Sequence, residues 1–200
     1  PEPPHGFHGR ARELLTLERA FAGHRILVLH GFGGQGKTAL ATHAAHWLTR
    51  AGLFKRAAFV SFEGGAGLEV ALAELGSALV SENFAIHEGD PVQAIADSLA
   101  ETPTLIVWDN FESVLPNGDV PLPADALKAL LDAGAKWMGV WGNGSVGVNG
   151  SRLLITTRDT SLPHVTYEPS RLCAHLPLGG LEGLDALELA ATILEDRGLP

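Results

Sequence analysis

The chain has one cysteine, one methionine and one tyrosine in 200 residues. A single thiol, Cys173, cannot close an internal disulfide and gives no basis for a thiolate metal centre, which excludes a disulfide-stapled secreted scaffold and fits a reducing compartment. Basic residues are also scarce: 14 Lys and Arg stand against 23 Asp and Glu, a net charge of −9. General binders of nucleic acid or anionic membranes neutralise phosphates with clustered Lys and Arg, so this deficit counts against them and requires any bound phosphate to be held locally. No run approaches the roughly 18 apolar residues of a membrane span. The N-terminus, Pro1-Glu2-Pro3-Pro4, lacks the basic-then-apolar order of a signal peptide. The expectation is a soluble, cytoplasmic protein with neither nucleic acid nor membrane as a partner.

What is present suffices for a core: 46% of the residues are hydrophobic and only 18% charged, as in one ordinary globular domain. A start at Pro1 rather than Met, and an end at Leu199-Pro200 directly after a helical pattern, suggest a piece of something longer. Short apolar runs alternate with helical periodicity. The pattern predicts helices over Arg12–Ala22, Lys37–Arg50, Leu68–Ser81, Pro91–Ala100, Ala124–Trp137 and Leu184–Arg197, the last capped by Gly198. Strands are expected over Ile26–His30, Ala57–Phe62, Thr104–Asp109, Arg152–Thr156 and, more weakly, Arg171–Leu176. Continuous apolar strands between helices point to a parallel sheet covered on both faces, an α/β fold of three layers. No internal repeat is visible. The glycine-punctuated stretch from Gly139 to Gly150 reads as a surface loop.

Gly31-Phe32-Gly33-Gly34-Gln35-Gly36-Lys37-Thr38 satisfies G-x-x-x-x-G-K-[ST] in full, between an apolar strand and a helix. That context matters, because the strand delivers the loop to the carboxyl edge of the sheet. The backbone N–H groups and helix dipole then converge on an anion. Glycines let the backbone approach phosphate oxygens without Cβ clashes. Lys37 is expected to pair with β- and γ-phosphates and the Thr38 hydroxyl to ligate Mg²⁺. The binding residues expected for ATP or ADP are thus Gly33, Gly34, Gln35, Gly36, Lys37, Thr38 and Ala39. Thr104-Leu105-Ile106-Val107-Trp108-Asp109 is an apolar strand ending in an acid, and Asp109 is the second expected metal-shell residue. One further strand separates the two motifs in sequence. From this the Asp109 strand is expected to insert beside the loop strand, in a five-stranded sheet of order 2-3-1-4-5. Trp108, alternating with Asp109, is expected in the core. His43 and His46, three apart on the helix after the loop, lack an accompanying carboxylate and read as a solvated face rather than a metal site.

Four further segments carry a family resemblance. Phe7-His8-Gly9-Arg10, with Glu13 following, resembles the F-x-G-R-x-x-E lead-in of STAND ATPases, the group that includes NB-ARC switches and bacterial multidomain regulators. Asp109-Asn110-Phe111-Glu112 is similar to the D-N-x-E version of bacterial members. Arg152 to Arg158 resembles their fourth strand ending in T-T-R. Leu176 to Leu181 resembles the fifth strand and the entry to the next module. The resemblance spans Phe7 to about Arg197. It implies a three-layer P-loop NTPase fold of the ASCE and AAA+-like kind, with a nucleotide-binding domain over 1–180, its lead-in over 1–25, and the start of a truncated helical module over 181–200. It further implies that His8 and Arg10 line the adenine and ribose side, and that Arg158 senses the γ-phosphate. The implied activity is that of a switch in which nucleotide exchange and slow hydrolysis control oligomerisation of a larger regulator. The implied partners are nucleotide, other domains of the same longer chain and further copies of it.

Asn110 stands where fast ATPases carry a second acid, and an amide cannot take a proton from water. Glu112 and Glu63 remain as residues to polarise water, and hydrolysis is expected to be slow or absent. Two other readings are an AAA+-type nucleic-acid-associated ATPase and a metabolic P-loop kinase. The net charge and lack of a basic stripe count against the first, and the absence of a legible acceptor site against the second. Gly198-Leu199-Pro200 superficially resembles the G-x-P of the helical module, but a plain helix cap is expected there.

Overall fold

A computed structural model describes residues 9–140, 150–181 and 183–196. Five parallel strands, β1 (Ile26–His30), β2 (Arg56–Ser61), β3 (Thr104–Asp109), β4 (Arg152–Thr157) and β5 (Cys173–Pro177), form one sheet. Six helices accompany them: α1 (Ala11–Gly23), α2 (Lys37–Arg50), α3 (Leu68–Leu79), α4 (Pro91–Glu101), α5 (Ala124–Trp137) and α6 (Gly183–Asp196). The expected α/β class and parallel sheet are present, and β1, α2, β3 and α5 have the bounds the sequence predicts. Two single turns of 3-10 helix, Phe111–Val114 and Val165–Tyr167, are additional.

The three inner strands β3, β4 and β1 are mainly apolar because both their faces are covered. Leu27, Leu29, Leu105, Val107 and Leu154 meet Leu17 and Phe21 of α1 and Leu40, Ala41, Ala44 and Leu48 of α2. The alternate residues Ile26, Val28, Val60, Ile106, Leu153 and Ile155 meet α3, α4 and α5. This second face is aromatic. Trp108 is wholly buried, stacks on Phe111 at 5.3 Å and 11°, and takes Phe62 and Trp137 edge-on. Trp108 is a core residue, as its alternation with Asp109 predicts.

The strand order corrects the expectation. The sheet runs β2-β3-β4-β1-β5, not 2-3-1-4-5. β4 separates the Asp109 strand from the loop strand: Ile106 lies opposite Leu153 on one side, and Ile155 opposite Val28 on the other. The physical reason is burial. Every residue of β4 after Arg152 is buried, so the strand needs a ladder partner on each edge as well as cover on each face, and only an interior position supplies both. Among the described residues no helix is long and apolar enough to cross a membrane.

Candidate functional site

At the carboxyl edge of the sheet, β1 runs into the glycine loop, and α2 begins at Lys37. Gly34 and Gly36 hold φ of 77° and 80°, a region that costs a side chain energy and glycine almost none. Gly36 occupies the cap position of α2 without a side-chain hydrogen bond, and the first turn of the helix has no acidic residue. The helix therefore presents its leading N–H groups and positive dipole end with no built-in anion. The Lys37 ammonium folds back on the loop, donating to the carbonyls of Gly31 at 2.8 Å and Phe32 at 3.0 Å. Burial lowers the Lys37 pKa. The Glu112 and Asp109 carboxylates oppose that shift, while Arg158 adds to it.

Asp109 is only 2% exposed. Thr38 Oγ1 donates to its two oxygens at 2.9 and 3.0 Å, and Thr156 Oγ1 donates to Oδ1 at 2.6 Å. The structure thus joins the helix after the loop, the end of β3 and the end of β4 through one carboxylate. Insertion of β4 makes this possible, since Thr156 reaches Asp109 from the neighbouring strand. The Thr156 oxygen in turn accepts from the Asn110 N–H at 3.0 Å. Asn110 takes φ of 55°, a left-handed conformation that asparagine tolerates better than most residues. The chain then coils into the Phe111–Val114 turn instead of continuing outward.

That turn brings Glu112 to Arg158, with Oε1 3.0 Å from Nε. The pair is asymmetric: the Glu112 side chain is 11% exposed and that of Arg158 62%. Glu112 Oε2 is buried and has no hydrogen-bond partner. Arg158 also lies over the loop; a Cβ on Gly33 would stand 3.5 Å from its guanidinium carbon. Glu63 is exposed just past the outer strand β2, next to Phe62, whose N–H donates to the Asp109 carbonyl at 2.9 Å.

Arg10, with φ of 65° and 6% exposure, precedes α1. Its guanidinium donates to the carbonyls of Gln35 at 3.0 Å and Gly179 at 2.8 Å, and to Glu13 at 2.7 Å. The lead-in is thereby fastened to both the glycine loop and the segment after β5. A cleft of about 740 Å³ opens beside it, lined by Arg10, Glu13, Gly179, Gly180 and Asp185. No residue of the glycine loop lines this cleft, and Arg10 is the bridge between the two. His8, expected on the same side, lies outside the described residues, as do Phe7, Gly142, Gly144, Gly147 and Gly198-Leu199-Pro200. At the end of β1, His30 faces His175 with ring centroids 6.1 Å apart, and burial, followed by the charge of His175, lowers the His30 pKa.

The donor set suits Mg²⁺ completed by phosphate oxygens. Thr38 and Asp109 offer hard oxygens only, and no group of three His, Cys, Asp or Glu among the described residues forms an all-protein cage. Mg²⁺ takes few protein ligands and keeps phosphate and water in its shell. Thr156 is the site residue the sequence reading missed. Its signal is a pair of hydroxyl residues, Thr156-Thr157, closing an otherwise apolar buried strand.

No family model matches the chain, and no curated protein matches it. Solved structures do. ORC2 of Aeropyrum pernix, described as ADPNP and ADP complexes, superposes with a TM-score of 0.67 at 19% identity, over 98% of this chain and 54% of that one. A Walker-type ATPase of Pyrococcus abyssi gives 0.64 at 12% identity over 100% and 62%. PCH-2 of C. elegans gives 0.53 at 15% over 94% and 48%. The chain spans about half the length of the first of these, 54%. At such identities the likeness shows the fold, which is that of the P-loop ATPases.

Proposed function

We propose that this chain is the nucleotide-binding domain of a STAND-type switch ATPase, binding ATP or ADP with Mg²⁺ and hydrolysing slowly. The observation that carries the nucleotide reading is the Asp109 carboxylate, bonded to both Thr38 and Thr156 beside an uncapped helix N-terminus. Thr38 and Asp109 would hold Mg²⁺, which would supply positive charge against that developing on the phosphate oxygens. The residues of the chain do the remainder. Gly33 to Ala39 offer backbone N–H groups to the phosphates. Lys37 leaves the loop carbonyls for the phosphate oxygens, and Arg158, exposed above Gly33, is within reach of the terminal phosphate. The cleft beside Arg10 is the place for the base and ribose.

The switch reading draws support from the lead-in, D-N-F-E and T-T-R segments and from Arg10, which ties the lead-in to the loop. On this reading residues 181–200 begin a helical module, exchange of ADP for ATP drives association of a longer cytoplasmic regulator, and the domain alone is largely monomeric. A second reading, an AAA+-type ATPase, is favoured by the likeness to ORC2 and PCH-2. Calorimetry with ADP and a non-hydrolysable ATP analogue, with and without Mg²⁺, tests the nucleotide site. Micromolar or weaker binding that Lys37→Ala weakens about 100-fold or more is expected, and absence of binding to the wild type refutes it. Steady-state phosphate release separates the two readings: turnover of several per second contradicts a switch.

A further inference from the structure

We propose that the cleft between α2 and the outer strand β2 binds a small molecule with a flat apolar body, a carboxylate at one end and a hydroxyl or carbonyl at the other. No residue of the glycine loop lines this cleft, so the site stands or falls apart from the nucleotide reading. Its origin lies in the sequence of α2. Leu40, Ala41, Ala44 and Leu48 belong to the core, and the next stripe round the helix is Thr42, Ala45 and Thr49, at spacings of three and four. These short side chains share the cleft with Ala57 and Phe59 of β2 and with Val107 of β3, which lies opposite Phe59 in the parallel ladder. This face of the sheet takes its cover from α1 and α2, and α1 packs on β1, at the far side of β3 and β4 from β2. The space left beside α2 is about 490 Å³, within the range of ordinary small-ligand sites.

The two threonines point to a ligand. Thr42 is 5% exposed, and the Oγ1 atoms of both Thr42 and Thr49 are buried with no hydrogen-bond partner. Other helical threonines of this chain spend the hydroxyl on the preceding turn: Thr16 Oγ1 donates to the Arg12 carbonyl at 2.8 Å, and Thr192 Oγ1 to the Glu188 carbonyl at 3.0 Å. Thr42 and Thr49 make no such bond, and two unsatisfied hydroxyls are costly in a purely structural interface. A polar group of a ligand satisfies them, because a hydroxyl both donates and accepts. The rim is cationic. His46 and Arg50, one and two turns beyond Thr42, are exposed along the cleft, and α2 has no acidic residue. No carboxylate forms an ion pair with Arg50 among the described residues. After burial, the charges of His46 and Arg50 lower the His43 pKa, so one positive field covers this helix face in a protein of net charge −9. Charge complementarity therefore assigns the ligand an anionic end, and the planar guanidinium of Arg50 matches a carboxylate. Thr42 and Arg50 are eight residues apart, about 12 Å along the helix, which a two-ring body hydrogen-bonded at both ends spans. Phe59 and Val107 supply apolar surface for those rings.

The test follows assigned backbone amides of the nucleotide-free chain by NMR during titration with 6-hydroxy-2-naphthoate, for which a dissociation constant below about 1 mM is expected. Amides from Thr42 to Arg50 and from Ala57 to Phe59 should shift. The analogue lacking the carboxylate should bind about tenfold more weakly, and the analogue lacking the hydroxyl a few-fold more weakly. Arg50→Gln should weaken the two carboxylates about tenfold and leave the neutral analogue unchanged. Thr42→Val, of nearly the same shape, should erase the advantage that the hydroxyl confers. Ala57→Phe, which fills the cleft from an exposed position, should remove binding of all three. Absence of binding, shifts at Gly33 to Thr38 instead of the cleft, equal affinity with and without the carboxylate, or indifference to Arg50→Gln each overturns the proposal. Arg50 and Ala57 are exposed, so their variants keep the fold and decide the matter even if Thr42→Val is unstable. Nucleotide affinity, measured separately, can fail without touching this result, and a failure here leaves the nucleotide site intact.

Discussion

Two buried polar networks, one at each edge of the sheet, are satisfied to different degrees. At the amino edge, Ser151 accepts from the Thr104 N–H at 3.1 Å and donates to the Leu99 carbonyl at 2.7 Å. Arg56 donates to Thr104 Oγ1 at 3.0 Å, to the Leu79 carbonyl at 2.9 Å and to Ser98 Oγ at 2.7 Å. These groups join helices to strand starts and leave no orphan among them. At the carboxyl edge, Gln35 Oε1 and Glu112 Oε2 are buried without partners, α2 starts uncapped, and Arg158 is exposed. A network that satisfies itself stabilises the native state. One that leaves acceptors and N–H groups unspent has room for a ligand.

Substitutions break this contrast in a definite order. Lys37→Ala removes charge-assisted contacts to phosphate and is expected to weaken nucleotide binding about 100-fold or more, roughly 3 kcal/mol, in calorimetry. Ser151→Ala should do the reverse. It orphans the buried Thr104 N–H and lowers unfolding free energy by about 1–3 kcal/mol in urea titration, with ADP affinity unchanged. Thr156→Val, an isostere that removes one donor and one acceptor, should lose about 1 kcal/mol of stability and also a few-fold in Mg²⁺-dependent ATP affinity. That mixed outcome is expected of a hydroxyl that both satisfies buried neighbours and supports Asp109. The smallest effect belongs to His30. Its native pKa lies below the unfolded value, so the unfolded chain binds more protons in that window. Its contribution is intact above the ordinary histidine value near 6.5 and is lost as pH falls below it. Thermal melts between pH 7.5 and 5 should therefore show a shallower decline in His30→Asn than in the wild type.

The sequence exposes the amino-to-carboxyl direction of this architecture more readily than its lateral order. Ile26–His30 and Thr104–Asp109 are recognisable because a strand buried on both faces has no polar alternation, and α2 is bounded by the glycine before it. The loop, Lys37, Thr38 and Asp109 are legible because their chemistry fixes both residue type and spacing. The place of β4 is not, since adjacency of parallel strands is decided by burial of each strand edge, a property of the assembled sheet. The turn at Phe111–Val114 is four residues long, too short for periodicity to register. Its cue is local, an asparagine directly after the buried acid where a left-handed residue reverses the chain. The Arg10 clamp joins residues 169 apart in the chain and has no local cue.

The aromatic stack beneath the site has a spectroscopic consequence. Trp108 is wholly buried, its Nε1 has no hydrogen-bond partner, and its indole lies flat against Phe111, the residue before Glu112. Such an indole emits toward the blue, and its quantum yield depends on the ring beside it. Any displacement of the Phe111–Val114 turn changes that contact, so the protein carries an intrinsic fluorophore stacked on the residue before Glu112. If nucleotide binding moves that turn, ultraviolet emission is expected to report it without a label.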